Sequence, residues 1–164
     1  RRGISNKKPI IGQYDVNREG SDDMYSKGAN LLHTIRQLTN NDELWRQTLR
    51  GLNEEFYHST VTTKEIEEYI SKSIGIDFSK VFDQYLRDYR IPIFEYEIIN
   101  GVLMYRWNDV IDGFDMPVEV IIDGENKVLN PTTEFKYIPI KNLYINVDNN
   151  YYVYSKDLKI IIDS

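Results

Sequence analysis

Side chains capable of chemistry crowd into one short stretch, Gly20-Ser21-Asp22-Asp23-Met24-Tyr25-Ser26-Lys27-Gly28-Ala29-Asn30-Leu31-Leu32. The adjacent carboxylates of Asp22 and Asp23 suggest an acid/base pair, but neighbouring residues at a helix start point in different directions. Acidic groups are favoured there by the helix dipole alone, by roughly 0.3–1 kcal/mol. Capping by Ser21 or Asp22 is therefore the expected role. Tyr25 differs, because a tyrosine in the first turn can project its hydroxyl beyond the helix end. Gly28, three residues on, would let a ligand or another backbone come close.

Other chemistries find no foothold. The two histidines, His33 and His58, have no second histidine four residues away, so neither belongs to a zinc-binding pair. No Gly-x-Ser-x-Gly elbow is present. Gly20 and Gly28 stand too far apart, with two carboxylates between them, to form a phosphate loop. Cysteine is absent, which removes disulfides, thiolate metal sites and cysteine nucleophiles. Tyr137, Tyr144, Tyr151, Tyr152 and Tyr154 suggest an aromatic carbohydrate platform, though tyrosine-rich strands are ordinary in sandwich faces.

The elements that must position Tyr25 are helical. Met24, Gly28, Leu31, Leu32, Ile35 and Leu38 recur at three and four, predicting a first helix with that face inward. Asn40-Asn41-Asp42 breaks it, and Trp45, Leu49, Leu52 and Phe56 form the stripe of a second. Thr62-Thr63-Lys64-Glu65 is a capping box opening a third helix, with Ile66, Tyr69, Ile70 and Ile74 inward, and Gly75 ends it. Asp77 caps a fourth, whose apolar face comprises Phe78, Val81, Phe82, Tyr85, Leu86 and Tyr89, and Pro92 forbids continuation.

After Pro92 the period falls to two. Phe94 to Ile98 and Val102 to Trp107 form a hairpin around Asn100-Gly101. Further strands are expected at Val118–Ile122, Lys127–Leu129, Glu134–Pro139, Leu143–Val147, Tyr151–Tyr154 and Lys159–Ile162. With no helix-length connection among them, the fold class is α+β: an N-terminal helical bundle over residues 1–91, then an antiparallel, Ig-like β-sandwich over residues 92–164.

The 164 residues carry a net charge of −6, which gives no electrostatic case for nucleic acid as a partner. No run is long and apolar enough for a membrane span. Arg1-Arg2-Gly3-Ile4 contains neither an initiator Met nor an apolar signal segment, so the chain is expected to be an internal piece of a longer protein.

The stretch Asp23-Met24-Tyr25-Ser26-Lys27-Gly28-Ala29-Asn30-Leu31-Leu32-His33-Thr34-Ile35-Arg36 resembles the Y-x-K-G helix of zinc-dependent aminopeptidases related to aminopeptidase N, gluzincins whose metal motif is H-E-x-x-H with a distant Glu. Asn6-Lys7-Lys8-Pro9-Ile10-Ile11 is similar to the segment before that helix and Trp45-Arg46-Gln47-Thr48-Leu49 to the helix after it. Phe82-Asp83-Gln84-Tyr85-Leu86 with Ile91-Pro92 is similar to the end of the helical part, where the family passes into a β-sandwich.

The resemblance implies that Tyr25 donates a hydrogen bond to the oxyanion of the tetrahedral intermediate in hydrolysis at the N-terminus of a peptide substrate. It implies a solvated Lys27, close helix packing at Gly28, and zinc in the parent protein. This sequence contains no H-E-x-x-H. The metal ligands are therefore expected in an upstream catalytic half of the same polypeptide, which would cover exposed apolar surface on the helices. The fragment alone is expected to be metal-free and inactive. The alternative is a non-catalytic helix-plus-sandwich interaction module related to these peptidases.

Overall fold

A computed structural model describes residues 3–12, 21–141 and 144–161. Gly20, Leu143 and Ile162, which enter the expectations above, lie outside them. Helix α1 spans Asp23–Thr39, α2 Asp42–Glu55, α3 Thr63–Ile74 and α4 Ser79–Phe82, the last running directly into a π-helical turn at Asp83–Arg87.

Local chemistry explains the boundaries. Asn40 closes α1 in the left-handed conformation, and the Asn41 side chain accepts from the Leu44 amide to open α2. Thr62 and Glu65 exchange both bonds of a capping box, and Gly75, at φ 79°, ends α3. Asp77 accepts from the Ser79 amide at 2.8 Å at the start of α4.

The seven strands are β1 Ile93–Ile99, β2 Val102–Asn108, β3 Val118–Ile122, β4 Glu125–Leu129, β5 Lys136–Pro139, β6 Ile145–Val147 and β7 Tyr154–Asp157. They make two sheets, in the orders β5-β2-β1-β7 and β4-β3-β6. Asn100-Gly101 and Asp123-Gly124 all have positive φ, the geometry of two-residue hairpin turns, and they join β1 to β2 and β3 to β4. The fold is thus α+β, helices followed by a sandwich.

Phe94, Leu103, Tyr105 and Trp107 of the first sheet share a core with Val118, Val120, Ile122, Ile145 and Val147 of the second. The Trp107 indole N–H donates to the Met116 carbonyl at 2.9 Å, which lets a large polar-tipped ring be buried. The same apolar cluster continues through Phe78, Val81, Phe82 and Tyr85 to Leu31 and Ile35 of α1, so helices and sheets are packed around continuous apolar material.

Several sequence expectations are corrected at the chain's end. The expected strand Tyr151–Tyr154 starts at Tyr154 instead, and Leu158–Ile161 is a 3₁₀ turn where a strand at Lys159–Ile162 was expected. The reason is where the backbone groups of 151–153 go. The Tyr152 amide donates to Thr34 Oγ1 in α1 at 3.0 Å and its carbonyl accepts from Tyr85 Oη at 2.6 Å, while the Tyr151 and Val153 amides donate to the Asp148 and Tyr151 carbonyls, so this segment bonds to helices and to its own turn rather than to a strand. Strand β7 then pairs with β1 in parallel, the one parallel ladder among the described residues. Tyr89, expected inward, is half exposed, because the helix ends at Arg87 before reaching it.

Candidate functional site

The first turn of α1 is built differently from its apolar pattern. Its buried residues are Asp23, Lys27, Leu31, Thr34 and Ile35, whereas Met24 and Leu32, expected inward, are 44% and 42% exposed. At about 100° per residue, Asp23 and Lys27 lie on one side of the helix and Tyr25 stands about 180° from their midpoint. Tyr25 is accordingly 75% exposed. Among the described residues none hydrogen-bonds its hydroxyl.

Asp23 is neither a cap nor half of an acid/base pair. One carboxylate oxygen accepts from the Ser5 amide at 2.8 Å, and the other accepts from the Asn6 amide at 2.8 Å and the Ser5 hydroxyl at 2.9 Å. Burial works to raise its pKa, but these bonds outweigh it and hold the carboxyl below its usual value. Asp22 is exposed and makes no side-chain capping bond; Ser21 Oγ accepts from the Asp23 amide at 3.2 Å instead.

The expectation of a solvated Lys27 is overturned. Its side chain is fully buried, and Nζ donates to the backbone carbonyls of Asp88 at 2.9 Å and Tyr89 at 3.3 Å. Burial pushes the ammonium below its ordinary pKa, opposed by the nearby carboxylates of Asp88 and Asp23. Those carbonyls follow the π-helical turn and precede β1, so the lysine ties the start of α1 to the junction with the sandwich. Asp88 is itself held by Arg90 at 2.7 Å. Among the described residues Gly28 is not a site of close packing, since a Cβ added there would meet none of their atoms within 4 Å.

The remaining candidates are also placed. His33 Nε2 lies 3.1 Å from Asn150 Oδ1, and the exposed His58 ring sits edge-on to Tyr57. No group of three or more His, Cys, Asp or Glu among the described residues is arranged to hold a metal ion. Among those residues, too, no helix is long and apolar enough to cross a membrane. Tyr151 and Tyr152 are only 4% and 2% exposed, which removes them from any carbohydrate platform. Burial, with Glu119 and Asp148 nearby, pushes the Tyr151 phenol up to about 12. The residues that sequence reasoning missed, Asp23 and Lys27 as buried anchors, carried one signal: both fall on the face that Leu31, Thr34 and Ile35 continue.

No protein-family model matches the sequence, and no curated protein matches it. Among solved structures, Legionella pneumophila aminopeptidase A, crystallised in complex with aspartic acid, superposes with a TM-score of 0.64 at 16% identity. The chain has an aminopeptidase-like fold. The match covers 83% of this chain and 18% of the Legionella protein, so the chain spans less than a fifth of that protein's length.

Proposed function

We propose that this chain is the C-terminal portion of a zinc-dependent aminopeptidase of the aminopeptidase N-like gluzincin family, in which Tyr25 donates a hydrogen bond to the oxyanion formed when the scissile carbonyl is attacked. The observation that carries this reading is the exposed Tyr25 side chain on the first turn of α1, directed away from two buried anchors. The fold shared with an aminopeptidase supports it.

The described residues do not fit a zinc site. Its ligands are proposed to come from polypeptide outside these residues. What this chain supplies is a hydrogen-bond donor carried on a helix end anchored through Asp23 and Lys27, aimed at where charge develops. The outer side of α1 supports a docked catalytic half: Leu32 stands about 20° from Tyr25 around the helix, two turns on, and Met24 is likewise exposed.

Tyr25→Phe in the full polypeptide tests the role. We expect kcat on aminoacyl substrates to fall by ~10²–10³, the usual loss for one oxyanion donor. An unaltered kcat would sink the assignment.

A further inference from the structure

We infer that Lys27 is a positioning residue for Tyr25. The inference rests on the oxyanion-donor reading of Tyr25 given above. A fully buried ammonium that donates to two main-chain carbonyls, 61 and 62 residues further along the chain, is not needed to make a helix. An apolar side chain would fill the same space without the cost of desolvating a charge. What the ammonium does is fix the rotation and height of the helix start against the segment that joins the π-helical turn to β1. Asp23 grips the same side one turn earlier through Ser5 and Asn6. With both anchors on the inner side, the backbone that carries Tyr25 cannot roll with the helix end, so its side chain leaves the helix from one place.

The test is a double-mutant cycle in the full polypeptide, assayed on an aminoacyl anilide. Lys27→Met is expected to lower kcat by about 10- to 10²-fold, as a ~1 Å misplacement of a catalytic group does, with KM within about twofold. In a Tyr25→Phe background the same substitution is expected to lower kcat no further, because the group it positions is already gone. An equal loss in both backgrounds, or an unaltered kcat for Lys27→Met alone, overturns the inference and leaves the role of Tyr25 standing. An unaltered kcat for Tyr25→Phe overturns both.

A readout independent of activity is the ¹⁹F resonance of 3-fluorotyrosine at position 25. It should be single in the wild type and displaced or broadened in Lys27→Met; an unmoved resonance also overturns the inference. If Lys27→Met does not fold, Lys27→Gln, a neutral and shorter polar side chain, takes its place with the same outcomes.

Discussion

The Tyr85 hydroxyl, in the π-helical turn, donates to the backbone carbonyl of Tyr152 at 2.6 Å, with both residues buried. Helical part and sandwich are thereby bonded at a point water does not reach. Replacing Tyr85 by Phe keeps the ring and removes only the donor, leaving that carbonyl without this bond. The expected loss is about 1–3 kcal/mol of unfolding free energy, read as a lower midpoint in urea with an unchanged m-value.

Asp23 predicts a local effect. With Asp23→Ala the amides of Ser5 and Asn6 lose their acceptor. Hydrogen exchange at these two amides should accelerate strongly, while the β1 and β2 amides keep their protection. Unchanged protection at Ser5 and Asn6 would contradict the anchoring role.

Glu95 on β1 gives the acid limb of stability. Its carboxylate is buried, which works to raise its pKa, but bonds from Arg106 at 2.8 Å, Asn108 at 2.9 Å and Lys156 at 3.2 Å outweigh burial and hold it below the ordinary value. With the folded pKa depressed, the unfolded chain binds more protons. The contribution is therefore complete above the unfolded value of about 4.3 and lost as pH falls through the folded one. Glu95→Gln should lower stability at pH 7 and flatten its dependence on pH below about 4, measured by thermal unfolding across the acid range.

Gly28 separates stability from function. It lies inside α1 with no atom of the described residues within 4 Å of an added Cβ, so Gly28→Ala should stabilise this chain by about 0.5–1 kcal/mol through the helix preference of alanine. In the full polypeptide, under the proposed docking on the outer side of α1, the added methyl should lower activity. A destabilised chain, seen as a lower melting temperature, would contradict the open environment.

Much of the fold was legible. The capping box at Thr62, the stop at Gly75 and the two hairpin turns each depend on a few adjacent residues, and such local chemistry survives folding unchanged. Tyr25 was legible as a helix-end phenol for the same reason. Lys27 was not, because a lysine is almost never fully buried without partners, and its partners are carbonyls far along the chain. The inner side of α1 was misjudged accordingly: Met24 and Leu32 satisfied the apolar period, while Asp23 and Lys27 took the buried places through polar bonds. The shift of β7 has a similar origin, since nothing near Tyr152 signals that Thr34 and Tyr85 will take up its backbone groups.

The π-helical turn has a consequence for how this sequence tolerates change. Gln84 and Tyr85 are consecutive, yet both are buried and both reach beyond the helix, Gln84 accepting from the Ile111 amide at 2.7 Å and Tyr85 donating to Tyr152. The wider turn accommodates one residue more than an α-turn would. Deleting a single residue between Asp83 and Arg87 would return the turn to α geometry and swing one of the two away from its partner. Length at this point is under tighter constraint than composition, and relatives should differ here by substitution, with insertions and deletions confined to the exposed loops.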